Sequence, residues 1–140
     1  MNRILFVDDA REAAETCAAL AQEALGYEAY FASSVPEALA LIDAYRPSGH
    51  DGAQGVTGIE LVVASFSVAT PLLDSHVEVP IVVVSAGFTN PGTAPERAFM
   101  ALGALLCCVK SNECSDIAYM LTLAERRLLV AEAMEHSALL

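Results

Sequence analysis

Five polar residues stand where apolar runs of the sequence end: Asp8, Asp9, Ser65, Ser85 and Lys110. If those runs are parallel strands of one sheet, their carboxyl ends meet at one edge, which is where such sheets bind ligands. A carboxylate pair at that edge can hold Mg2+, a hard cation that takes carboxylate oxygens and water. The sequence therefore predicts one crevice that contains an acidic pair, two hydroxyls and a lysine.

The same residues also have a simpler interpretation. Asp8 and Asp9 can stabilise the N-terminus of the helix that follows them, where carboxylates are favoured. Lys110 can be a solvated lysine that only forms a salt bridge with one of these carboxylates. Ser65 has no histidine near it in the sequence, so it lacks the arrangement that activates a serine nucleophile. The residue types alone leave both interpretations open.

The segments that position these residues alternate between apolar runs and helical patterns. The predicted strands are "RILFVDD", "YEAYFAS", "IELVVAS", "VPIVVVSA" and "ALLCCVK". A helical segment follows each of them, and the second begins with a capping box in which Ser34 and Glu37 satisfy helix amides. Strict alternation of five strands and five helices predicts one domain, residues 1–140, with helices on both faces of a parallel sheet.

Two of the predicted helices have informative apolar faces. On the first, the shared face consists of Ala13, Cys17, Leu20 and Ala24. The closing helix has a core face, and Leu123, Val130 and Met134 extend its apolar surface around the side. This surface is either a wide core face or the surface of a homodimer or of a helix that joins a partner.

The composition excludes several classes of function. The chain has a net charge of -11, from 7 basic and 18 acidic residues, which disfavours binding to nucleic acid or to anionic membranes. No apolar run is long enough to span a bilayer, and the start "MNRILFVDDA" does not resemble a signal peptide. We therefore expect a cytoplasmic protein whose four cysteines, which form no CxxC motif, are reduced.

Three of the strand segments carry a family resemblance. "ILFVDD", "VPIVVVSA" and "GALLCCVK" resemble the marker segments of the response-regulator receiver domain, the CheY-like family. The resemblance implies an α/β, flavodoxin-like, doubly wound sheet of five parallel strands in the order 2-1-3-4-5 with five helices. It also implies roles: Asp8 and Asp9 match the Mg2+-binding pair, Ser85 the hydroxyl switch residue, and Lys110 the lysine that neutralises the phosphoryl group.

The sequence departs from the family at three positions. Ser65 stands where the phosphoacceptor aspartate is expected, and a hydroxyl cannot form an acyl phosphate. Cys107 stands where the family often has an aromatic switch residue, and Ser111 where it has a proline. The resemblance therefore implies a receiver whose Mg2+ site is weakened and whose switch chemistry is degraded.

A rival alignment keeps a conventional acceptor. "GVTGIELV" is similar to the segment that follows the acceptor in many receivers, and this alignment places the acceptor at Asp51. The third strand would then be "RPSGHDG", which lacks the apolar residues that a central strand must bury. We prefer Ser65 at the acceptor position and keep Asp51 as the alternative.

The function that follows is a non-enzymatic, receiver-like signalling module of a two-component phosphorelay system. We expect it to act by protein association with a histidine kinase or a downstream effector, or as a homodimer through the closing helix. The alternatives are a conventional phosphorylated receiver that uses Asp51, a purely structural dimer subunit, and a small enzyme or redox module on the same fold. The enzyme alternative is disfavoured because no Gly-rich phosphate loop follows the first strand.

Overall fold

The computed structural model describes residues 2–46, 58–87, 94–111 and 113–139 of the chain. The strands are β1 (Arg3–Val7), β2 (Glu28–Ala32), β3 (Leu61–Ser65), β4 (Ile81–Ser85) and β5 (Leu106–Val109). The helices are α1 (Arg11–Leu25), α2 (Val35–Ala44), α3 (Phe66–Asp74), α4 (Ala94–Ala101) and α5 (Cys114–Leu139). The five strands form one parallel sheet in the order β2-β1-β3-β4-β5, which confirms the predicted fold class.

β3 is the centre of the sheet. It is hydrogen-bonded to β1 on one side and to β4 on the other, and every residue from Leu61 to Ser65 is buried. A strand covered on both faces needs a continuous apolar sequence, and "LVVAS" provides one up to its last residue. The prediction that the third strand lies in "IELVVAS" is confirmed.

The core lies in two layers, one on each face of the sheet, because successive strand side chains point to opposite faces. On one face α2, α3 and α4 cover a cluster that includes Leu5, Val62 and Val83. On the other face α1 and α5 cover a cluster that includes Phe6 and Val63. The position of a site residue along its strand therefore determines on which face of the sheet its side chain lies.

The buried face of α1 is shifted by one position along the sequence from the predicted face. Ala14, Ala18 and Ala21 are the buried residues, whereas Ala24 is exposed. The helix is rich in alanine, so the apolar periodicity does not distinguish neighbouring faces well. Gly26 ends the helix in the left-handed region at φ 76°, and its N–H donates to the carbonyl of Ala21.

α2 begins with the predicted serine cap, although its glutamate has a different partner. The Ser34 hydroxyl accepts a hydrogen bond from the Glu37 N–H at 3.3 Å. The Glu37 carboxylate accepts from the hydroxyl of Ser33 at 3.2 Å, one residue before the predicted partner. The N-terminus of α2 is thus fixed by two serines and one glutamate.

α5 is much longer than the part of it that the core uses. It spans 26 residues, about 39 Å at the rise of an α-helix. Its buried residues end at Ala124, and beyond them Leu129, Val130 and Met134 are 65%, 55% and 68% exposed. In the described part of the chain no helix, α5 included, combines the length and apolarity that crossing a membrane requires.

Candidate functional site

Four strands deliver polar residues to one edge of the sheet. Asp8 and Lys110 follow directly after β1 and β5, while Ser65 and Ser85 are the last residues of β3 and β4. The backbone joins these ends, since the Lys110 N–H donates to the Ser85 carbonyl at 3.1 Å. Asp8, Ser65, Ser85 and Lys110 therefore lie at the same edge of the sheet.

The strand alternation divides the site between the two faces of the sheet. Asp8, Ser65 and Lys110 line a cavity between the sheet and the helices α1 and α5. Ser85 follows Val83 by two residues, and Cys107 is paired with Val83; both belong to the face that α2, α3 and α4 cover. The alternation therefore places Ser85 and Cys107 on the face of the sheet opposite to that of Asp8 and Ser65.

Asp8 and Lys110 form the central ion pair. Oδ2 of Asp8 accepts a hydrogen bond from Nζ of Lys110 at 2.6 Å, and Oδ1 accepts from the N–H of Ala10 at 2.9 Å. Asp8 is only 6% exposed, while the Lys110 side chain is 35% exposed. A buried carboxylate requires a partner, since an unpaired buried charge is strongly destabilising. Lys110 supplies that partner from the end of β5, which is an edge strand of the sheet.

Asp9 is exposed and is held by a residue that the sequence did not single out. Oδ1 of Asp9 accepts a hydrogen bond from the Ser67 hydroxyl at 2.7 Å. Donation from Ser67, with a smaller effect from the hydrogen bond to Asp8, lowers the pKa of Asp9 below its ordinary value. Ser67 lies in the first turn of α3, where a helix N-terminus also favours a nearby anion.

Ser65 belongs to the same hydrogen-bonded chain. Its hydroxyl lies 3.0 Å from that of Ser67, and the residue is only 4% exposed. Ser67 donates its single proton to Asp9, so it must accept from Ser65. The result is a directed chain, Ser65 to Ser67 to Asp9, that fixes the orientation of the Ser65 hydroxyl.

The sequence pattern predicts a short third helix from about Val68 to His76, so it does not single out Ser67. The helix begins at Phe66, which brings Ser67 into its first turn beside the end of β3. The signal that could have identified it is the pair of serines in "ASFS", because a serine at the N-cap position, Ser65, places Ser67 in the first turn of the helix.

The predicted switch residues have their own local partners. The Ser85 hydroxyl accepts a hydrogen bond from the Gly87 N–H at 3.1 Å. The Cys107 thiol lies 3.9 Å from the carbonyl oxygen of Glu96 in α4. Burial, with a smaller effect of the Glu96 charge, raises the pKa of Cys107 to about 11. Ser85 thus contacts the backbone directly after β4, and Cys107 contacts α4.

Ser111 connects the end of β5 to α5. Its hydroxyl donates to the Asp116 carboxylate at 2.7 Å and accepts from the Glu113 N–H at 3.1 Å. This arrangement ties the chain after Lys110 to the first turn of α5.

A cavity of about 40 Å³ lies beneath the ion pair. Its polar lining includes Asp8, Ser65 and Lys110, and its apolar lining includes Cys17 and Met120. The small side chains of α1 leave this space open. It has room for only a few water molecules, far less than a nucleotide or a flavin would occupy.

The donor set at this edge does not fit Mg2+. In the ranges that the structure describes, no three His, Cys, Asp or Glu side chains are grouped closely enough to hold a metal ion. Both oxygens of Asp8 and one oxygen of Asp9 already accept hydrogen bonds. Ser65 ends the central strand with a hydroxyl and adds no carboxylate oxygen, and Mg2+ is usually bound through one or two carboxylates and water. Asp51, the alternative acceptor, lies outside the described residues.

Comparison with known proteins agrees with the geometry at the level of the fold. No protein-family model matches the sequence, and no curated protein matches it. Among solved structures, the chemotaxis response regulator CheY4 of Vibrio cholerae is 18% identical, with 89% of this chain and 98% of that chain covered and a TM-score of 0.64. A putative response regulator from Chloroflexus aurantiacus is 20% identical, with 88% and 96% covered and a TM-score of 0.64.

NtrX from Brucella abortus, in complex with ADP, is 24% identical, and the match covers 96% of this chain but 29% of that larger one, with a TM-score of 0.69. The predicted resemblance is thus confirmed in the fold, and this chain has the doubly wound fold of the CheY-like response-regulator receiver domains.

Proposed function

We propose that the chain is a receiver-like signalling module of a two-component phosphorelay that acts by binding a protein partner, without being phosphorylated. The partner is a histidine kinase or a downstream effector. One observation carries the proposal: a receiver-type Lys110–Asp8 pair lies at the carboxyl edge of the sheet, yet the central strand β3 ends in a serine. The scaffold is retained, whereas the acceptor carboxylate is replaced.

The environment of Ser65 supports the absence of phosphoryl transfer. Serine could only form a phosphate ester, and that reaction needs a base to remove the hydroxyl proton. The neighbour of Ser65 is the hydroxyl of Ser67, which is not a base of useful strength, and Ser65 is only 4% exposed. The position is therefore poorly placed for attack on a phosphodonor.

A surface for protein association is available on α5. Tyr119, Leu129, Val130 and Met134 are all more than half exposed on this helix. Aromatic side chains and methionine are enriched at protein interfaces, and an exposed apolar surface on a helix is typical of a binding face. We propose that α5 contributes the contact with the partner or with a second copy of the chain.

Intact-mass spectrometry tests this function. The parent, Asp51→Asn and Ser65→Ala are incubated with a small-molecule phosphodonor and Mg2+. The proposal expects no phosphoryl adduct on any of the three folded proteins. An adduct on the parent that disappears only in Asp51→Asn would identify a conventional receiver that uses Asp51, and one that disappears only in Ser65→Ala would identify an unusual serine acceptor. Either adduct would overturn the proposal.

A further inference from the structure

The acidic pair already accepts hydrogen bonds from groups of the protein itself. Asp8 accepts from Lys110 at 2.6 Å and from the Ala10 N–H at 2.9 Å. Asp9 accepts from the Ser67 hydroxyl at 2.7 Å and lies beside the N-terminus of α3. An ammonium group, a hydroxyl and a backbone amide thus donate to three of the four carboxylate oxygens of the acidic pair.

We propose that Ser67 and Lys110 together exclude a divalent cation from the crevice, with Ser67 as the residue that decides it. This inference rests on the proposed function, because it explains how the receiver-like crevice dispenses with a metal. Mg2+ requires near-octahedral oxygen coordination and gives up water reluctantly, so ligand oxygens must be free and correctly oriented. The hydroxyl of Ser67 instead orients the Asp9 carboxylate toward the first turn of α3.

Lys110 adds a second obstacle, because it places a positive charge beside Asp8. A cation that approached Asp8 would have to displace this ammonium or tolerate its repulsion. Displacement would in turn remove the partner of a carboxylate that is only 6% exposed. Lys110 therefore cannot be removed without a cost to the fold, whereas Ser67 can.

Ser67 is suited to substitution because it is exposed and uncharged. Ser67→Ala removes the donor to Asp9 and leaves the ion pair between Asp8 and Lys110 in place. Ser67→Thr retains a hydroxyl at the same position. Ser75, at the other end of α3, donates to the Leu72 carbonyl and provides a matched serine outside the crevice.

The test uses Mn2+ as a paramagnetic probe, with amide line broadening in NMR spectra as the readout and Mg2+ as the competitor. The proteins are the parent, Ser67→Ala, Ser67→Thr and Ser75→Ala, each checked by thermal unfolding. We expect Ser67→Ala to bind Mn2+ about tenfold more tightly than the parent, the factor that loss of one charge-assisted hydrogen bond gives. The broadening should centre on residues 8–10 and 65–68, and Mg2+ should reverse it.

Ser67→Thr and Ser75→Ala should behave as the parent does. The inference is overturned if Ser67→Ala binds Mn2+ at Asp9 no more tightly than the parent does. It is likewise overturned if Ser67→Thr binds as Ser67→Ala does, because the hydroxyl would then not be the cause. None of these outcomes alters the phosphodonor experiment, so the two proposals fail independently.

Discussion

Nζ of Lys110 lies 2.6 Å from Oδ2 of Asp8, although the strands that carry these residues are separated in the sheet by β3 and β4. The lysine therefore reaches across two strand ends, over Ser65, to a carboxylate that is almost fully buried. A contact of this reach stabilises the whole carboxyl edge of the sheet and not only the strand that supplies it.

Lys110→Met should lower the free energy of unfolding by about 2 kcal/mol, measured by urea denaturation. Loss of one partner from a buried pair costs about 3–5 kcal/mol, and the partial exposure of Lys110 reduces the effect. The control is Arg46→Met, which removes an exposed pair with Asp43 at 4.0 Å and should cost at most about 0.5 kcal/mol. If both substitutions lowered the free energy of unfolding by the same amount, the pair of Lys110 with Asp8 would contribute no more to stability than an exposed ion pair does.

Addition of Asp8→Asn to Lys110→Met should recover part of the lost stability. The double variant no longer contains a buried charge without a partner, so its loss should be smaller than the sum of the two single losses. A coupling free energy of about 1 kcal/mol or more in the double-mutant cycle is the expected result. Strict additivity would mean that the two side chains do not interact in solution.

Ser67→Ala should raise the pKa of Asp9 toward its ordinary value, because the hydrogen bond from Ser67 is the largest cause of its depression. A carboxyl whose folded pKa is lowered stabilises the fold above its unfolded pKa and loses that contribution as the pH falls through the folded pKa. The difference in unfolding free energy between parent and variant should therefore be fully present above the ordinary carboxyl pKa and disappear as the pH falls through the lowered pKa of Asp9. Carboxyl chemical shifts followed by NMR titration give the pKa directly, and an unchanged value would contradict the hydrogen bond.

Cys107 and Cys108 should react slowly with thiol reagents at neutral pH. Burial raises the pKa of each thiol to about 11, so at pH 8 only about one molecule in a thousand carries the thiolate at either site. The labelling rate, followed by mass spectrometry of peptides, should rise about tenfold per pH unit until it levels near the pKa. Labelling at pH 7 as fast as that of a free cysteine peptide would contradict this environment.

Val130→Glu and Met134→Glu should each weaken association of the chain if α5 forms a homodimer. Both side chains are more than half exposed and extend the apolar surface of α5 beyond the core. Thr70→Glu, at an exposed position in α3, adds the same charge on a different helix and is the control. Sedimentation velocity should show a dimer for the parent and for Thr70→Glu, and a monomer for the other two. A parent that is monomeric at all concentrations would assign this surface to a different partner.

The sheet could be predicted from the sequence because its strands are short apolar runs covered on both faces. β3 is the clearest case, since "LVVAS" cannot be read as an amphipathic helix, and its two neighbours in the sheet follow from the order that the resemblance implied. The pairing of Lys110 with Asp8 was also anticipated, as one of two interpretations.

The parts that could not be predicted depend on single-residue shifts. α3 starts at Phe66, two residues earlier than the sequence predicts. Ser67 therefore lies in the first turn of the helix, where its hydroxyl donates a hydrogen bond to Asp9. In α1 the buried residues are alanines, and a helix so rich in small side chains gives no clear signal of which face is buried. The division of the site between the two faces of the sheet required the strand register, which the sequence does not specify.

The ion pair at the strand ends also has a kinetic meaning. Its two residues are 102 positions apart, so the contact can form only after nearly the whole chain has been arranged. Contacts with such a large sequence separation tend to form late, because the loop must be closed before the contact contributes any stability. We therefore expect the contact between Lys110 and Asp8 to be absent from the transition state of folding. Loss of Lys110 should leave the folding rate almost unchanged and shorten the lifetime of the folded state.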